Sequence, residues 1–481
     1  MQRKFLSNLG LILLLNLLVK PFYILGIDAE VQNRVGKENY GLYLGLISLS
    51  FIFNMLIDLG INNFNNNNIS KNTQLVSKHF SKLLSIKSAL ALGYALITLL
   101  VGWILDYRGF AFHLLIFLSF NQILVSFILF GRSNLAALHR FKADSIVSVL
   151  DRSLLVIFCS IILFGNLTES EFRIEWFVYL QTTTYAITLV TLVLMLRPNI
   201  GSIRWHLDIP FSINIFKKSL PYATFMIIGS LYNRLDGIML EKIGPLGSVS
   251  AGEYAQGFRF FEAASMFAYL FAVLLLPIYS RMIKQNEDVK PIVETATRLL
   301  IGAGLAGAIL FFFHSDFVLQ WRYPDVSQNS IYAFSALMIG FVGVGLFYVY
   351  GTLMTANENL RMLNQISIGG LVINLCLNFY LIPTHGAFGA AIATMATQLF
   401  AGIAQLCFVV KTFKFRANYS LILQMVSFVI LTVGVNFVLD DHTSLNDFDR
   451  FAISTLSAAI LLFLTGLFSV RKIMEVLKYS D

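Results

Sequence analysis

Charge is scarce in this chain: Asp, Glu, Lys and Arg make up 13% of the 481 residues, roughly half the share of an ordinary soluble domain. With 57% hydrophobic residues and a mean hydropathy of +0.72, that scarcity excludes a water-soluble fold of this length. Cysteine is scarce too. Cys159, Cys376 and Cys407 all lie in apolar segments without CxxC or Cys/His spacing, which excludes a disulfide framework and a zinc site and leaves them as packing residues. There is no Walker A motif to support ATP hydrolysis. The formal charge of +8 is scattered over many short loops, without the clustered patch that nucleic-acid binding needs. His113, His314, His385 and His442 are likewise scattered, with no neighbouring base or nucleophile. No cofactor signature is present, and coupling to a proton or sodium ion through an acidic residue is the one auxiliary chemistry the chain leaves open.

What the chain does have is long apolar runs. About 20 apolar residues span a bilayer as a helix, and the sequence predicts fourteen such helices, near 8–28, 40–61, 82–105, 111–137, 144–165, 175–196, 217–241, 252–279, 293–313, 328–355, 361–382, 387–410, 419–438 and 451–470. The first begins like a signal peptide, with Arg3 and Lys4 before an apolar run, but lacks a small-residue cleavage motif and is expected to be retained. Lys and Arg gather in every second gap: Lys71, Lys78 and Lys82; Arg140 and Lys142; Arg197 through Lys218; Arg281 through Arg298; Arg361; Lys411 through Arg416; Arg471 through Lys478. The alternate gaps are poor in basic residues or acidic, as in Glu169-Ser170-Glu171 and Asp440-Asp441. Because Lys and Arg mark cytoplasmic loops, both termini are expected inside a bacterial cytoplasmic membrane. The asparagine tract of residues 62–68 and the sequon at Asn166 carry no assigned chemistry.

The expected organisation is all-α: an N-lobe of six helices over 1–200, a cytoplasmic linker over 201–216, a C-lobe of six helices over 217–414, and two further helices with a tail over 415–481. A weak internal echo supports two related lobes, since Gly41-Leu42-Tyr43 opens helix 2 as Gly252-Glu253-Tyr254 opens helix 8. Parallel halves of this kind are common in transporters, with substrate bound between them.

Charges inside the apolar segments pose the functional question. Lys20, Lys87, Arg132, Arg152, Arg234 and Arg259 stand against Asp58, Asp151, Asp236 and Glu262, and each costs about 2.5 to 3.5 kcal/mol at the bilayer centre without water or a partner. Lys87 sits near Lys82 and is expected to snorkel to the interface. Asp58 can cap or face the end of helix 2, and Asp151 and Arg152 can form local pairs. Arg234 and Asp236 fall on different helix faces and serve different partners, whereas Arg259 and Glu262 are three apart and can pair. Lys20 sits about halfway along helix 1 beside Pro21 and Arg259 two turns inside helix 8, where neither easily reaches an interface. Six cations against four acids leave a positive excess, which a hydrated cavity focuses on an anionic ligand, and Arg suits phosphate through its planar fork. Pro21, Pro221 and Pro277 can kink helices 1, 7 and 8. The stripes Gly302-Gly304-Gly307 and Gly340-Gly343-Gly345 allow close helix contacts.

Residues Gly36 to Tyr43, Asp58-Leu59-Gly60, Asp236 with Gly252-Glu253-Tyr254, and Leu276-Pro277 with Ser280-Arg281 resemble the oligosaccharide flippases of the multidrug/oligosaccharidyl-lipid/polysaccharide (MOP) exporter superfamily, the Wzx-type polysaccharide flippases above all. The resemblance covers nearly the whole chain. It implies two six-helix lobes around a central cationic cavity opened alternately to either side, two peripheral C-terminal helices, and an undecaprenyl-pyrophosphate-linked sugar as cargo for O-antigen, capsule or exopolysaccharide synthesis. It implies a transporter and no enzyme, with membrane lipids and the polymerase and chain-length machinery as partners. By the same resemblance Lys20 and Arg259 meet the pyrophosphate or an acidic sugar, Arg132, Arg152 and Arg234 line the cavity, and Asp58, Asp236 and Glu262 form gating pairs or a coupling-ion site. Lys20 departs from the Arg common in the family, which weakens a bidentate phosphate contact there.

Three alternatives stay open on the sequence. A drug or organic-cation antiporter of the same superfamily needs an acidic cavity, and helix 1 offers Lys20 and no carboxylate. A flippase for the peptidoglycan lipid precursor shares the cationic fourteen-helix plan. A membrane polymerase, ligase or acyltransferase needs catalytic groups in sizeable outer loops, and the outer gaps here are short.

Overall fold

The computed structural model describes residues 15–62, 75–165, 171–200, 210, 213, 229–232, 234–441 and 445–468. Most of the linker, Pro221 with nearly all of the first half of helix 7, most of the asparagine tract, the sequon, His442 and the basic residues Arg471, Lys472 and Lys478 lie outside them. Among the described residues every regular element is helical, and ten helices are long and apolar enough to cross a membrane.

Two of those ten are bent at a single glycine. Leu15–Asp58 divides into α1 (15–35) and α2 (37–58) at Gly36, where φ is +79°. Residues 12 apart on a straight helix stand about 18 Å apart, yet the Tyr40 hydroxyl donates to Asp28 at 2.9 Å, so the corner is sharp. No loop separates α1 from α2, where the sequence predicts a gap over 29–39. Leu360–Thr412 divides likewise into α11 (360–385) and α12 (387–412) at Gly386, with φ +53°. Between these lie α3 (Leu75–Ile104), α4 (Gly109–Ala137), α5 (Phe141–Phe164), α6 (Ile174–Leu196), α7 (234–243), α8 (Ser248–Lys284), α9 (Lys290–Phe313) and α10 (Gln328–Ala356). A short helix, Ser315–Arg322, follows α9, and α13 (Tyr419–Asp441) and α14 (Asp447–Leu464) end the described chain. Splitting the ten at their two corners and adding α7 and α14 gives fourteen helices besides the short Ser315–Arg322 among the described residues, in accord with the sequence.

These helices are patterned inside out relative to a soluble protein. On α3, Leu92, Leu96, Leu100 and Trp103 are exposed while Lys87, Tyr94 and Thr98 are buried. On α6, Ile187, Val190 and Leu194 face out while Gln181, Thr184 and Thr188 face in. An apolar exterior over a polar interior is stable where the surrounding solvent is hydrocarbon, and the chain is a multi-pass membrane protein.

The chain forms two compact units. One comprises residues 1–242 and 247–252, the other 243–246 and 253–481. In the first, Leu124, Ile128 and Leu135 of α4 pack with Val147 of α5 and with Tyr185, Leu192 and Leu196 of α6. The two glycines of the internal echo meet there: a Cβ on Gly41 would lie 2.7 Å from the Gly252 nitrogen, and one on Gly252 would lie 2.1 Å from the Lys37 carbonyl oxygen. Gln32 donates to the Gly252 carbonyl at 2.8 Å, which fixes the first turn of α8 against the α1–α2 corner.

In the second unit, α10 and α12 touch backbone to backbone, since a Cβ on Gly343 would stand 2.4 Å from the Gln398 carbonyl carbon. Two polar staples join α13 and α14 to the rest. His314 Nε2 lies 3.0 Å from Asn436 Oδ1, which also accepts from Ser454 at 2.6 Å. At the other end Arg298 of α9 reaches Gln424 and the Gly466 carbonyl. Between them Ala306 and Ile309 pack on Leu421, Phe428 and Leu462. Cys159 is buried as expected, but Cys376 and Cys407 are exposed on α11 and α12, where a small apolar thiol suits a lipid-facing surface.

Candidate functional site

Pro21 has no N–H to give the preceding turn, and two residues later α1 widens into a π-helical segment, Tyr23–Asp28. Such segments are rare and recur at functional sites. The widened turn carries Tyr23, Ile24, Ile27 and Asp28 into the interior of the first unit. There the Arg152 guanidinium of α5 lies against two aromatic rings, its Cζ 4.7 Å from the Tyr23 centroid and 5.6 Å from that of Tyr185. Asp151 is 3.8 Å from Arg152 Nε, at the long edge of an ion pair, so the two rings hold the guanidinium more firmly than the carboxylate does.

Lys20 lies one turn before Tyr23 and is half-buried. The charges acting on it most strongly are Arg152, Asp151 and Arg132, and it makes no ion pair within 4 Å among the described residues. Arg132 of α4 is held by Asp144 of α5, Nε to Oδ1 at 2.7 Å. Lys20, Arg132 and Arg152 stand against Asp144, Asp151 and the buried Asp28 of the widened turn, so the charges balance in number, and Lys20 is the cation of the three that no carboxylate holds within 4 Å among the described residues. A half-buried cation that no carboxylate holds is a place for an anion, and Arg152 beside it presents its remaining donors in a fixed plane.

The other candidates fall into pairs. Asp58 holds Lys87 at 3.1 Å and accepts from the Asn62 backbone. Lys87 has no exposed surface and also contacts the Phe130 ring. It therefore does not snorkel, because its carboxylate partner lies inside the bundle. Arg234 stacks on Phe51 at 4.6 Å, and Asp236 is buried two residues on. In the second unit Arg259 Nη1 pairs with Glu262 Oε2 at 2.7 Å.

The structure thus groups Lys20, Arg132 and Arg152 and gives Arg259 its own counter-ion. Sequence reasoning missed Tyr23 and Tyr185, whose signal is their position on the faces turned toward Arg152. It missed Asp28 as well: the first helix does carry a carboxylate, 2% exposed and bonded to Tyr40. Among the described residues no group of three His, Cys, Asp or Glu is arranged to hold a metal ion.

Residues 5–283 match the family described as polysaccharide biosynthesis protein. The lipid III flippases of Escherichia coli (strain K12) and Shigella flexneri are each 27% identical over 129 residues, covering 27% of this chain and 31% of theirs. The match therefore spans about a third of those curated relatives. Among solved structures, the lipid II flippase MurJ in its inward closed conformation superimposes with a TM-score of 0.70 at 13% identity, covering 97% of this chain and 99% of that one. An inward-facing multidrug resistance MATE family transporter of the MOP superfamily gives 0.60 at 14% identity, covering 82% and 93%. At these identities the likeness is one of fold.

Proposed function

The chain belongs to the polysaccharide biosynthesis protein family, and from that premise we propose that it is a flippase for an undecaprenyl-pyrophosphate-linked oligosaccharide. The observation that carries this reading is Lys20, which no carboxylate holds within 4 Å among the described residues, beside Arg152 and its two rings, within one unit and on three helices. A pyrophosphate needs cations that are desolvated and pre-positioned, and these side chains supply both. Arg132 and Arg234 extend the cationic lining, Arg259 with Glu262 and Lys87 with Asp58 are ion pairs that exchange partners as the protein changes state, and Asp236 is a candidate coupling group for a proton or sodium ion. Transport by alternating access then requires that the loaded and empty states differ in stability, which substrate binding to one of them provides.

The cytoplasmic membrane is the proposed location, with both termini inside, and the polymerase and chain-length machinery of O-antigen, capsule or exopolysaccharide synthesis are the proposed partners. The names of the similar flippases support a lipid-linked sugar, and they leave the peptidoglycan precursor as a neighbouring substrate. Asp28 favours a second reading, a cation antiporter, because it places a buried carboxylate on α1.

Flipping of a fluorescent undecaprenyl-pyrophosphate oligosaccharide in proteoliposomes decides between them. Lys20→Ala is expected to lower the rate at least tenfold at matched protein levels. Arg259→Ala is expected to lower it through Glu262. A Lys20→Ala protein that flips at the wild-type rate removes this site. A wild type that flips no lipid under any ion gradient, yet exchanges an organic cation for protons, establishes the antiporter.

A further inference from the structure

A second site lies at the end of the first unit where the α1–α2 corner meets the start of α4 and the segment leading into α6. It is a cavity of about 500 Å³ bordered by Arg34, Phe110, Glu171, Phe172, Arg173 and Glu175, within the range of small-ligand pockets. Its floor is the buried Ile174. Two features hold the walls: Arg34 is braced by Glu30 at 3.2 Å, and the Phe172 ring stands edge-on to Trp176 at 5.9 Å. Glu171, Arg173 and Glu175 make no ion pair among the described residues, although they are neighbours in sequence. Two cations and two anions around one opening cancel, so the cavity does not select for net charge. What it offers is a mixture of planar donors (the guanidinium forks), planar acceptors (the carboxylates) and two apolar rings.

We propose that this cavity binds the saccharide portion of the transported lipid, as a sugar subsite separate from the cationic Lys20 site. Adjacent pyranose hydroxyls both donate and accept, and guanidinium and carboxylate edges match them in pairs, while the C–H face of a sugar ring packs on phenylalanine. The alternation of basic and acidic gaps puts this end of the helices on the outer side, where the sugar arrives. The inference rests on the flippase reading and adds a place for the end of the substrate that the cationic site does not hold.

The test is calorimetric titration of the full chain in lipid nanodiscs with the oligosaccharide released by mild acid from the polyprenyl-pyrophosphate pool of the producing cells. That probe carries no pyrophosphate. Saturable binding is expected, weakened at least tenfold by Arg173→Gln and by Phe110→Ala and kept within twofold by Lys20→Ala. Both pocket positions are exposed, so these variants fold, and thermal melting checks it. No saturable heat, or binding unchanged in the Arg173→Gln, Glu171→Gln double variant, overturns the subsite. If wild-type protein from the same preparation flips lipid while showing no sugar binding, the subsite alone fails. If it flips no lipid, the flippase reading fails.

Discussion

Arg152 and Lys87 show two ways of keeping a cation inside a membrane protein, and the two predict different mutational behaviour. Arg152 is held by rings on two helices, so a change that keeps the charge and loses the plane tests the stacking: Arg152→Lys is expected to cut flipping at least fivefold in the proteoliposome assay, whereas Lys20→Arg, which adds a fork, is expected to keep or raise it. Lys87 is held by a carboxylate. Lys87→Ala strands Asp58 with 18% of its side chain exposed and is expected to cost about 3 kcal/mol, the low end for breaking a buried pair. The Lys87→Ala, Asp58→Asn double variant is expected to recover most of that loss in thermal melting, and a double variant no more stable than the single one denies the coupling. At this scale the sequence was partly legible. An in-span charge is costly wherever it sits, so Lys20, Arg152 and Asp58 stand out in the string of letters. Their partners do not, because Asp144 lies 12 residues from Arg132 and Tyr185 lies 33 residues from Arg152, and only packing brings them together. Asp28 was overlooked because it ends an apolar run and passes for a boundary residue.

Elements were far easier to read, since 20-residue apolar runs announce themselves, but the joints between them were not. Gly36 and Gly252 are both invisible in a hydropathy pattern and do different work. A Cβ on Gly36 meets nothing within 4 Å, so Gly36→Ala pays only the backbone strain of its positive φ, about 1–3 kcal/mol. Gly252→Ala collides with the Lys37 backbone and is expected to lose more than about 3 kcal/mol, at the far end of overpacking costs. Thermal unfolding of the two variants, ranked against wild type, tests the order. The α13–α14 pair gives a pH prediction. Burial pushes the His314 imidazole below its ordinary value, opposed by the hydrogen bond to Asn436 and by Asp440 and Asp447. A base lowered in the folded state binds fewer protons than when unfolded, so its contribution to stability is complete above about pH 6.5 and is lost as pH falls through that value. The melting temperature is expected to drop between pH 7 and pH 5, less steeply in His314→Gln.

The whole chain was legible as a fourteen-helix membrane protein because bilayer thickness sets the length of every run and loop charge sets the side. Its sites were less so, since they depend on which helices are neighbours. The orientation is testable in a background with Cys159, Cys376 and Cys407 replaced by serine: single cysteines at Asn39 and Glu171 are expected to react with an impermeant maleimide in intact cells, and cysteines at Arg140 and Glu287 only after permeabilisation. The reverse pattern would put the basic turns outside. The corner at Gly36 bears on biosynthesis. A translocon releases a helix sideways once it has cleared the channel, and it normally reads the next polar loop before committing the following helix. Between α1 and α2 that polar stretch, with Glu30, Arg34, Lys37 and Glu38, is itself helical on both sides of Gly36, so it serves as loop and as corner at once. A ribosome stalled after residue 36 would hold an α1 whose Asp28 has yet to meet the Tyr40 hydroxyl that donates to it across the corner.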